Sequence, residues 1–291
     1  MNNEFKKYHP IISFTYFVLM LVFSCVFMHP VMLGVSIVSA VSHLIILRGS
    51  GKAVPLMLPM VLIMALFNPM FNHSGATVLC YLPSGNPLTF ESLIYGLAAA
   101  VMILSVICRF LCYSEVMTSD KFIYLFGKAA PSLSLVLSMT LRFVPRFRRQ
   151  LNDVINAQSC VNTYKKGLSS RIRHSAGIMT AMLTWALEGS FTTADSMRAR
   201  GYGICKRTAF SVYRFDGRDK LMLTAILLLG IYVIIGAVCG AARAVYYPYI
   251  SWSGVTPYNL SVWCIYMLLA FMPHIIELTE VIRWQAIKSK M

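Results

Sequence analysis

Six apolar stretches dominate this 291-residue chain, and each is long enough to cross a lipid bilayer as a helix. A hydrocarbon core of about 30 Å requires roughly 20 apolar residues in a helix, or about 17 at the short end. The stretches are residues 11–28, 31–47, 53–71, 92–112, 221–242 and 260–279. Backbone groups inside lipid must pair within their own segment, which favours helices over open sheets. We therefore expect an all-α polytopic membrane protein with about six transmembrane helices.

Composition and cysteine placement agree with this class. Hydrophobic residues make up 57% of the chain and charged residues 13%, so a water-soluble fold would leave apolar side chains in water. The cysteines fall mostly in apolar or basic stretches, so we expect no disulfide framework. Cys108 and Cys112 stand four residues apart without the second pair that a zinc site needs, so we expect no bound metal.

Basic residues at the span ends predict the orientation of the chain. The two long loops on one side, residues 72–91 and 243–259, contain a single basic residue, Arg243. The basic residues that flank the spans alternate onto the opposite side: Lys6, Lys7, Arg48, Lys52, Arg283, Lys288 and Lys290. The positive-inside rule assigns that side to the cytoplasm. We therefore expect a multi-pass protein of the plasma membrane with both termini in the cytoplasm.

The middle of the chain differs in composition from both ends. More than half of the 26 basic residues lie between positions 113 and 220, where no uninterrupted span can be drawn. We predict three regions on this basis. They are residues 1–113 with about four transmembrane helices, residues 114–219 with surface and cytoplasmic helices, and residues 220–291 with about two transmembrane helices.

Two long amphipathic helices are predicted within the basic region. Before them, residues 122–141 are apolar but interrupted by glycine, lysine and proline, which favours two short surface pieces, with a seventh, buried span as the alternative. One long basic helix should start near Leu141. A second should run over residues 175–200 and end at Gly201, because glycine past the last turn fits a left-handed cap. Its apolar stripe comprises Ile178, Met179, Met182, Leu183 and Ala186.

The basic charge of these helices has two interpretations. It holds the segment against anionic lipid, at roughly 1 kcal/mol per basic residue, or it presents guanidinium groups to acidic pockets of a cytosolic protein. Arg198 and Arg200 also have a purely local interpretation, as partners of the helix dipole worth a few tenths of a kcal/mol. The residues alone leave these alternatives open.

Segment 194–203, which reads Ala-Asp-Ser-Met-Arg-Ala-Arg-Gly-Tyr-Gly, resembles the C-terminal coupling-helix signature of the T component of energy-coupling-factor (ECF) transporters. An Ala-Arg-Gly triplet alone is a weak signal, but this ten-residue context is specific. Further segments resemble the family in the same order along the chain: residues 67–73, 95–96, 116–121 and 141–145. The resemblance covers most of the chain from about Val31 to Leu221.

The resemblance implies a transmembrane coupling subunit of a bacterial ATP-driven importer for vitamins or transition metals. Its partners would be two cytosolic ABC-type ATPases and a membrane-embedded substrate-binding S component, in a lipid membrane and without nucleic acid. ATP and Mg would bind the ATPases, so this chain would be no enzyme and bind no cofactor. The ATPase-coupling residues implied are Asp195, Arg198, Ala199, Arg200 and Gly201, with the triplet arginine entering a groove on one ATPase.

A second Ala-Arg-Gly triplet, which the family has near the end of the preceding helix, is absent from this chain. The residues available there for a first coupling motif are Gln158, Lys165, Lys166 and Gly167. Either a lysine substitutes as a point charge, which is not equivalent to a bidentate guanidinium, or one ATPase contact is weaker or built differently. The difference between the two helix ends suggests that the two ATPases differ.

Other functions have less support in the sequence. Residues 48–53 resemble a phosphate loop only superficially, because Ile46 and Ala53 stand where a glycine and a Ser or Thr are required. His274, Glu277 and Arg109 lie near span ends, where a snorkelling or paired polar residue is the simplest interpretation. A self-contained permease should carry broken helices or intramembrane charges around its own substrate site. It remains the alternative, ahead of a membrane enzyme.

Overall fold

Helices form most of the chain in the ranges that the structure describes. This computed structural model describes residues 4–49, 53–81, 87–127, 130–161, 167–204, 213 and 215–288. Its α-helices are α1 (Pro10–Val26), α2 (Pro30–Arg48), α3 (Ala53–Phe71), α4 (Phe90–Val116), α5 (Ser119–Gly127), α6 (Pro131–Val161), α7 (Leu168–Ala199), α8 (Gly217–Val238), α9 (Pro257–Ala270) and α10 (Met272–Lys288). A 3-10 helix, Glu4–Lys7, precedes α1. The predominantly helical class is confirmed.

Strands in the described ranges are confined to two short antiparallel hairpins. Both lie in the loops predicted for the exterior side. They pair β1 (Val78–Tyr81) with β2 (Pro87–Thr89), and β3 (Ala244–Val245) with β4 (Ser251–Trp252). The first hairpin is tied to α4, because the Glu91 carboxylate accepts hydrogen bonds from the Thr77 N–H at 3.3 Å and from its hydroxyl at 2.9 Å.

Three helices in the described ranges are long and apolar enough to cross a membrane. They are α2, α4 and α8, with mean hydropathies of 2.1, 2.2 and 2.7. A fourth span results if the bent pair α9 and α10 is counted as one, while α1 and Val61–Phe71 of α3 are shorter apolar helices. Several membrane-spanning helices are therefore present, but the predicted count of six is not confirmed.

The sixth predicted span, residues 260–279, is not one straight helix. Helices α9 and α10 meet at Phe271 and are bent by 53° relative to each other. The cause lies two residues further on, at Pro273. Proline has no N–H to continue the helical ladder, and its ring clashes with the carbonyl group four residues earlier.

The contacts divide the chain into two compact units. One consists of Met1–Lys121 with Tyr213–Met291, and the other of Phe122–Val212. In the first unit, α4 packs against α1, α2 and α3, while α9 contacts α2 and α8. Its buried core is largely aromatic and aliphatic, and includes Phe5, Tyr16, Phe17, Met20, Leu44, Ile226 and Tyr266.

A buried arginine side chain lies within this core. Arg109 of α4 is only 1% exposed, and its Nη2 donates to Ser39 Oγ at 2.6 Å and to the Ser36 carbonyl oxygen at 3.5 Å. The Ser36 and Ser24 hydroxyls lie 2.8 Å apart, which links α2 to α1. Arg109 is therefore a paired polar residue inside the helical unit, and the snorkelling interpretation is wrong for it.

Two of the segments that resemble the ECF family meet where α3 packs on α4. A Cβ atom at Gly96 would lie 2.8 Å from the Ala65 carbonyl oxygen and 2.9 Å from Asn68 Cβ. Such distances are too short for any larger residue, so glycine permits this close approach. Beyond the helix, Asn72 Nδ2 donates to the Tyr247 hydroxyl at 3.0 Å. Segments 67–73 and 95–96 therefore contribute to one packing contact.

The helices of the second unit differ partly from the prediction. The first of the two expected short pieces is α5, but the second is the beginning of α6. Helix α6 starts with Pro131, a favoured first residue, and continues for 31 residues with Pro145 inside it. Helix α7 begins at Leu168, seven residues before the predicted start. Both long amphipathic helices are thus present and longer than expected.

Candidate functional site

The C-terminal end of α7 is closed by a glycine in the left-handed conformation. Gly201 has a φ of +81°, which other L-residues rarely adopt. The Tyr202 N–H donates to the Met197 carbonyl oxygen at 3.0 Å, and the Gly201 N–H donates to that of Arg198 at 2.9 Å. This pair of bonds defines a Schellman cap. The predicted helix end at Gly201 is confirmed.

The predicted coupling residues lie at the surface around this cap. Asp195, Arg198, Ala199 and Arg200 are all exposed. Within the described ranges, none of the three charged side chains forms an ion pair. After the cap, Tyr202 is 53% exposed and Ile204 is 80% exposed. The end of α7 therefore presents two guanidinium groups beside exposed apolar side chains, a combination suited to an acidic, partly apolar pocket.

The opposite end of α7 is built differently. Gly167 precedes the helix in an extended conformation with a φ of 165°, and no side chain caps the first turn by a hydrogen bond. Gln158, near the end of α6, is partly buried, and a Cβ atom at Gly177 would lie 3.5 Å from its Oε1. Gln158 therefore contacts α7. Lys165 and Lys166, the candidate point charges, lie outside the described residues.

Helix α7 fixes the distance between the two candidate coupling sites. Gly167 lies at its start and Arg200 at its end. At 1.5 Å per residue, the 33 steps between them correspond to about 50 Å. No single globular pocket spans this distance, so the two ends would contact separate partners or separate parts of one large partner.

Helices α6 and α7 pack as an antiparallel pair. The Phe147 ring lies 6.3 Å from the Trp185 ring, and Gln158 approaches Gly177, so earlier residues of α6 meet later residues of α7. The Cζ atom of Arg146 lies 5.5 Å from the centre of the Trp185 ring in a cation–π contact. A cavity of about 350 Å³, the α6–α7 cavity, remains beside these residues.

An exposed apolar row on α7 coincides only in part with the predicted stripe. The predicted stripe splits in two, because Met182 is 3% exposed whereas Met179 is 73% and Leu183 is 63% exposed. The exposed row comprises Ile172, Met179, Leu183, Leu187 and Phe191. Its signal was an interval of four residues from Met179 to Phe191, with Ile172 seven residues before Met179, and both spacings place side chains on one face of a helix. A row of this kind marks a surface for a membrane or an apolar partner.

Comparison with known proteins agrees with the sequence resemblance. The chain is 30% identical over 110 residues to the energy-coupling factor transporter transmembrane protein EcfT of Streptococcus thermophilus, covering 37% of this chain and 42% of that protein. It is 36% identical over 109 residues to EcfT of Lacticaseibacillus paracasei, covering 33% and 40%. For EcfT of Lactobacillus helveticus the values are 30% over 114 residues, 38% and 41%. The matched segments therefore span about two fifths of these relatives.

A match to a protein-family profile covers more of the chain than these relatives do. The profile of the CbiQ family, described as cobalt transport protein, matches residues 7–212. This range contains α1 to α7, with the close packing at Gly96 and the Schellman cap at Gly201. Because the match covers well over half of its 291 residues, the chain belongs to the CbiQ family, the transmembrane T components of energy-coupling-factor transporters.

Proposed function

We propose that this chain is the coupling component of an ECF-type ATP-driven importer in a bacterial cytoplasmic membrane. It joins two cytosolic ABC ATPases to a membrane-embedded S component that binds a vitamin or a transition metal. ATP and Mg belong to the ATPases, and this chain carries no catalytic group of its own. It crosses the membrane several times and keeps both termini in the cytoplasm.

The exposed arginine at the capped end of α7 carries the proposal. Arg200 forms no ion pair within the described ranges, and the Schellman cap holds the backbone from which its side chain projects. A guanidinium group on a fixed backbone binds carboxylates in two-pronged geometry with little loss of entropy. Truncating such a contact in a desolvated groove reduces binding by about 2 to 5 kcal/mol.

The neighbouring residues support the same contact. Arg198 adds a second cation in the last turn, Asp195 offers a carboxylate on the exposed surface, and Ala199 is small enough for close approach of a partner. At the other end of α7, the first ATPase contact falls to Lys165 or Lys166 near Gly167. A lysine there provides charge without a planar fork, so we expect this contact to be weaker.

The apolar row on α7 provides a surface for the membrane-embedded partner. Met179, Leu183, Leu187 and Phe191 are more than half exposed and form a row about 18 Å long at 1.5 Å per residue. Closure of the ATPase pair would displace the ends of α7, and the row would carry this displacement to the S component.

A self-contained permease is the second candidate, and two observations favour it. The structure contains a bent helix pair, α9 and α10, and a buried arginine, Arg109, without an acidic partner in the described ranges. Broken helices and intramembrane charges are features of transporters with their own substrate site. However, Arg109 bonds to Ser39 and Ser36, which accounts for it as a structural link.

Purification from the native membrane in mild detergent tests the proposal. We expect wild type to bring two ABC ATPases and a small apolar protein, Arg200→Ala to recover far less ATPase, and Arg200→Lys to fall between them. Arg243→Ala, an exposed arginine in a predicted exterior loop, is the matched control and should behave like wild type. Recovery of the chain alone, with substrate uptake by the chain alone in vesicles, would support the permease and contradict the coupling role.

A further inference from the structure

The α6–α7 cavity has an apolar wall in which the hydroxyl groups are already satisfied. Met139, Phe143 and Phe147 line it from α6, and Trp185 and Met197 from α7. Two hydroxyls also face it, but each donates to a carbonyl of its own helix, Ser190 to Leu187 at 2.7 Å and Thr193 to Gly189 at 2.6 Å. The wall therefore favours an apolar occupant.

One positively charged side chain lies at this apolar wall. Arg146 lines the cavity and lies over the Trp185 ring, and no carboxylate in the described ranges pairs with it. Arg142 and Arg149 lie four and three residues away on the same helix face. Like charges at these spacings repel each other, so an anion bound among the three would relieve the repulsion.

The cavity has a volume of about 350 Å³, and a flexible hydrocarbon chain adapts to an irregular apolar wall of this kind. Phe143 and Phe147 are 38% and 42% exposed, so the cavity is open along α6.

We propose that the α6–α7 cavity binds one acyl chain of an anionic phospholipid, with the lipid phosphate held by Arg146, Arg142 and Arg149. This site goes beyond the coupling role, because it makes the packing of the helix pair depend on the headgroup composition of the membrane. A zwitterionic lipid supplies the same acyl chain but adds a cation next to three arginines, so it binds less well.

Fluorescence quenching of Trp185 tests the site. The full chain and its Trp185→Phe variant are reconstituted in phosphatidylcholine vesicles that contain equal fractions of brominated phosphatidylglycerol or brominated phosphatidylcholine. Subtracting the quenching measured for the Trp185→Phe variant from that measured for wild type gives the quenching of Trp185 alone. We expect stronger quenching by the anionic lipid, and a preference reduced about fivefold in Arg146→Gln, the factor expected for one basic residue at a membrane surface.

Two further variants separate the cavity from general surface charge. Arg171→Gln removes an exposed positive charge elsewhere on α7 and should keep the full preference. Gly189→Leu fills the cavity with a side chain while it retains all the arginines, and should abolish the preference. Equal quenching by both lipids, or a preference that persists in Gly189→Leu, would overturn the proposal. Absence of quenching by either lipid would also overturn it and leave the cavity to an apolar segment of a partner protein.

Discussion

Replacement of Gly201 by alanine should loosen the end of α7 without affecting the rest of the protein. An added Cβ would lie 3.5 Å from Ile204 Cδ1, an ordinary contact, so the substitution creates no clash. The cost comes from the backbone, because a φ of +81° is unfavourable for an L-residue by about 1 to 2 kcal/mol. Alanine also reduces the entropy of the unfolded chain, which offsets about 0.4 to 1 kcal/mol. The net loss is about 1 kcal/mol, or roughly fivefold in the local opening equilibrium.

Hydrogen exchange measured by mass spectrometry reports this opening directly. The amides of Gly201 and Tyr202 form the two bonds of the cap, and we expect them to exchange about fivefold faster in Gly201→Ala. Gly201→Asn should exchange at an intermediate rate, because asparagine tolerates the left-handed conformation better than alanine. Gly189→Ala is the matched control, since its Cβ meets no atom within 4 Å and alanine stabilises a helix interior by about 0.5 to 1 kcal/mol.

The same variants connect the cap to the function. If the cap positions Arg200 for an ATPase, Gly201→Ala should lower ATPase recovery while the thermal stability of the whole protein hardly changes, because an exposed helix end frays independently. Identical exchange in the glycine, asparagine and alanine proteins would refute the role of the left-handed residue. Faster exchange with unchanged ATPase recovery would refute the link between the cap and Arg200.

Three further predictions concern the first unit. Arg109→Ala should lower the free energy of unfolding by about 3 to 5 kcal/mol, because it leaves a void and removes the donor to Ser39, while Arg109→Met should cost less because it fills most of the void; thermal unfolding in detergent checks both. Gly96→Ala should destabilise by about 1 to 3 kcal/mol through its clash with α3, whereas Gly34→Ala, with no atom within 4 Å of its Cβ, should be neutral or stabilising in the same assay. Burial, with a smaller contribution from the Lys6 charge, lowers the pKa of Lys121 from 10.5 to about 8. Between pH 8 and 10.5 the folded state therefore binds fewer protons than the unfolded state, so the free energy of unfolding should rise with pH over that window. Lys121→Met should lose this rise, and an unchanged pH profile would contradict it.

Helix positions that depend on local patterns could be predicted from the sequence. The predicted spans 31–47 and 53–71 agree with α2 and α3 within one residue at each end, because an apolar run and its flanking polar residues define a span. Gly201 could be recognised as a helix end for the same reason, since the Schellman cap depends on a single residue type. Pro273 signals a helix break, but the surrounding residues are apolar, so residues 260–279 are predicted as one continuous span.

Features that depend on contacts between distant residues could not be predicted. Arg109 lies 70 residues from Ser39, and no periodicity relates the two, so its burial could not be distinguished from snorkelling. The spacing predicts one face for the stripe on α7, because Met179 and Met182 both fit a helical period. Met182 is nevertheless buried and Met179 exposed, and this difference depends on contacts from outside the helix, which the spacing along α7 does not contain.

In the proposed coupling role, the two ends of α7 would form an unequal pair of contacts. A helix of 32 residues is held by hydrogen bonds between successive turns, so a displacement at one end reaches the other about 50 Å away with little bending. The capped end presents Arg200 on a fixed backbone, whereas the end at Gly167 has no side-chain cap. If both ends bind ATPases as proposed, the end at Gly167 would hold its partner less firmly than the Schellman-capped end at Gly201. The absence of a second Ala-Arg-Gly triplet would then make the two contacts unequal without removing either of them.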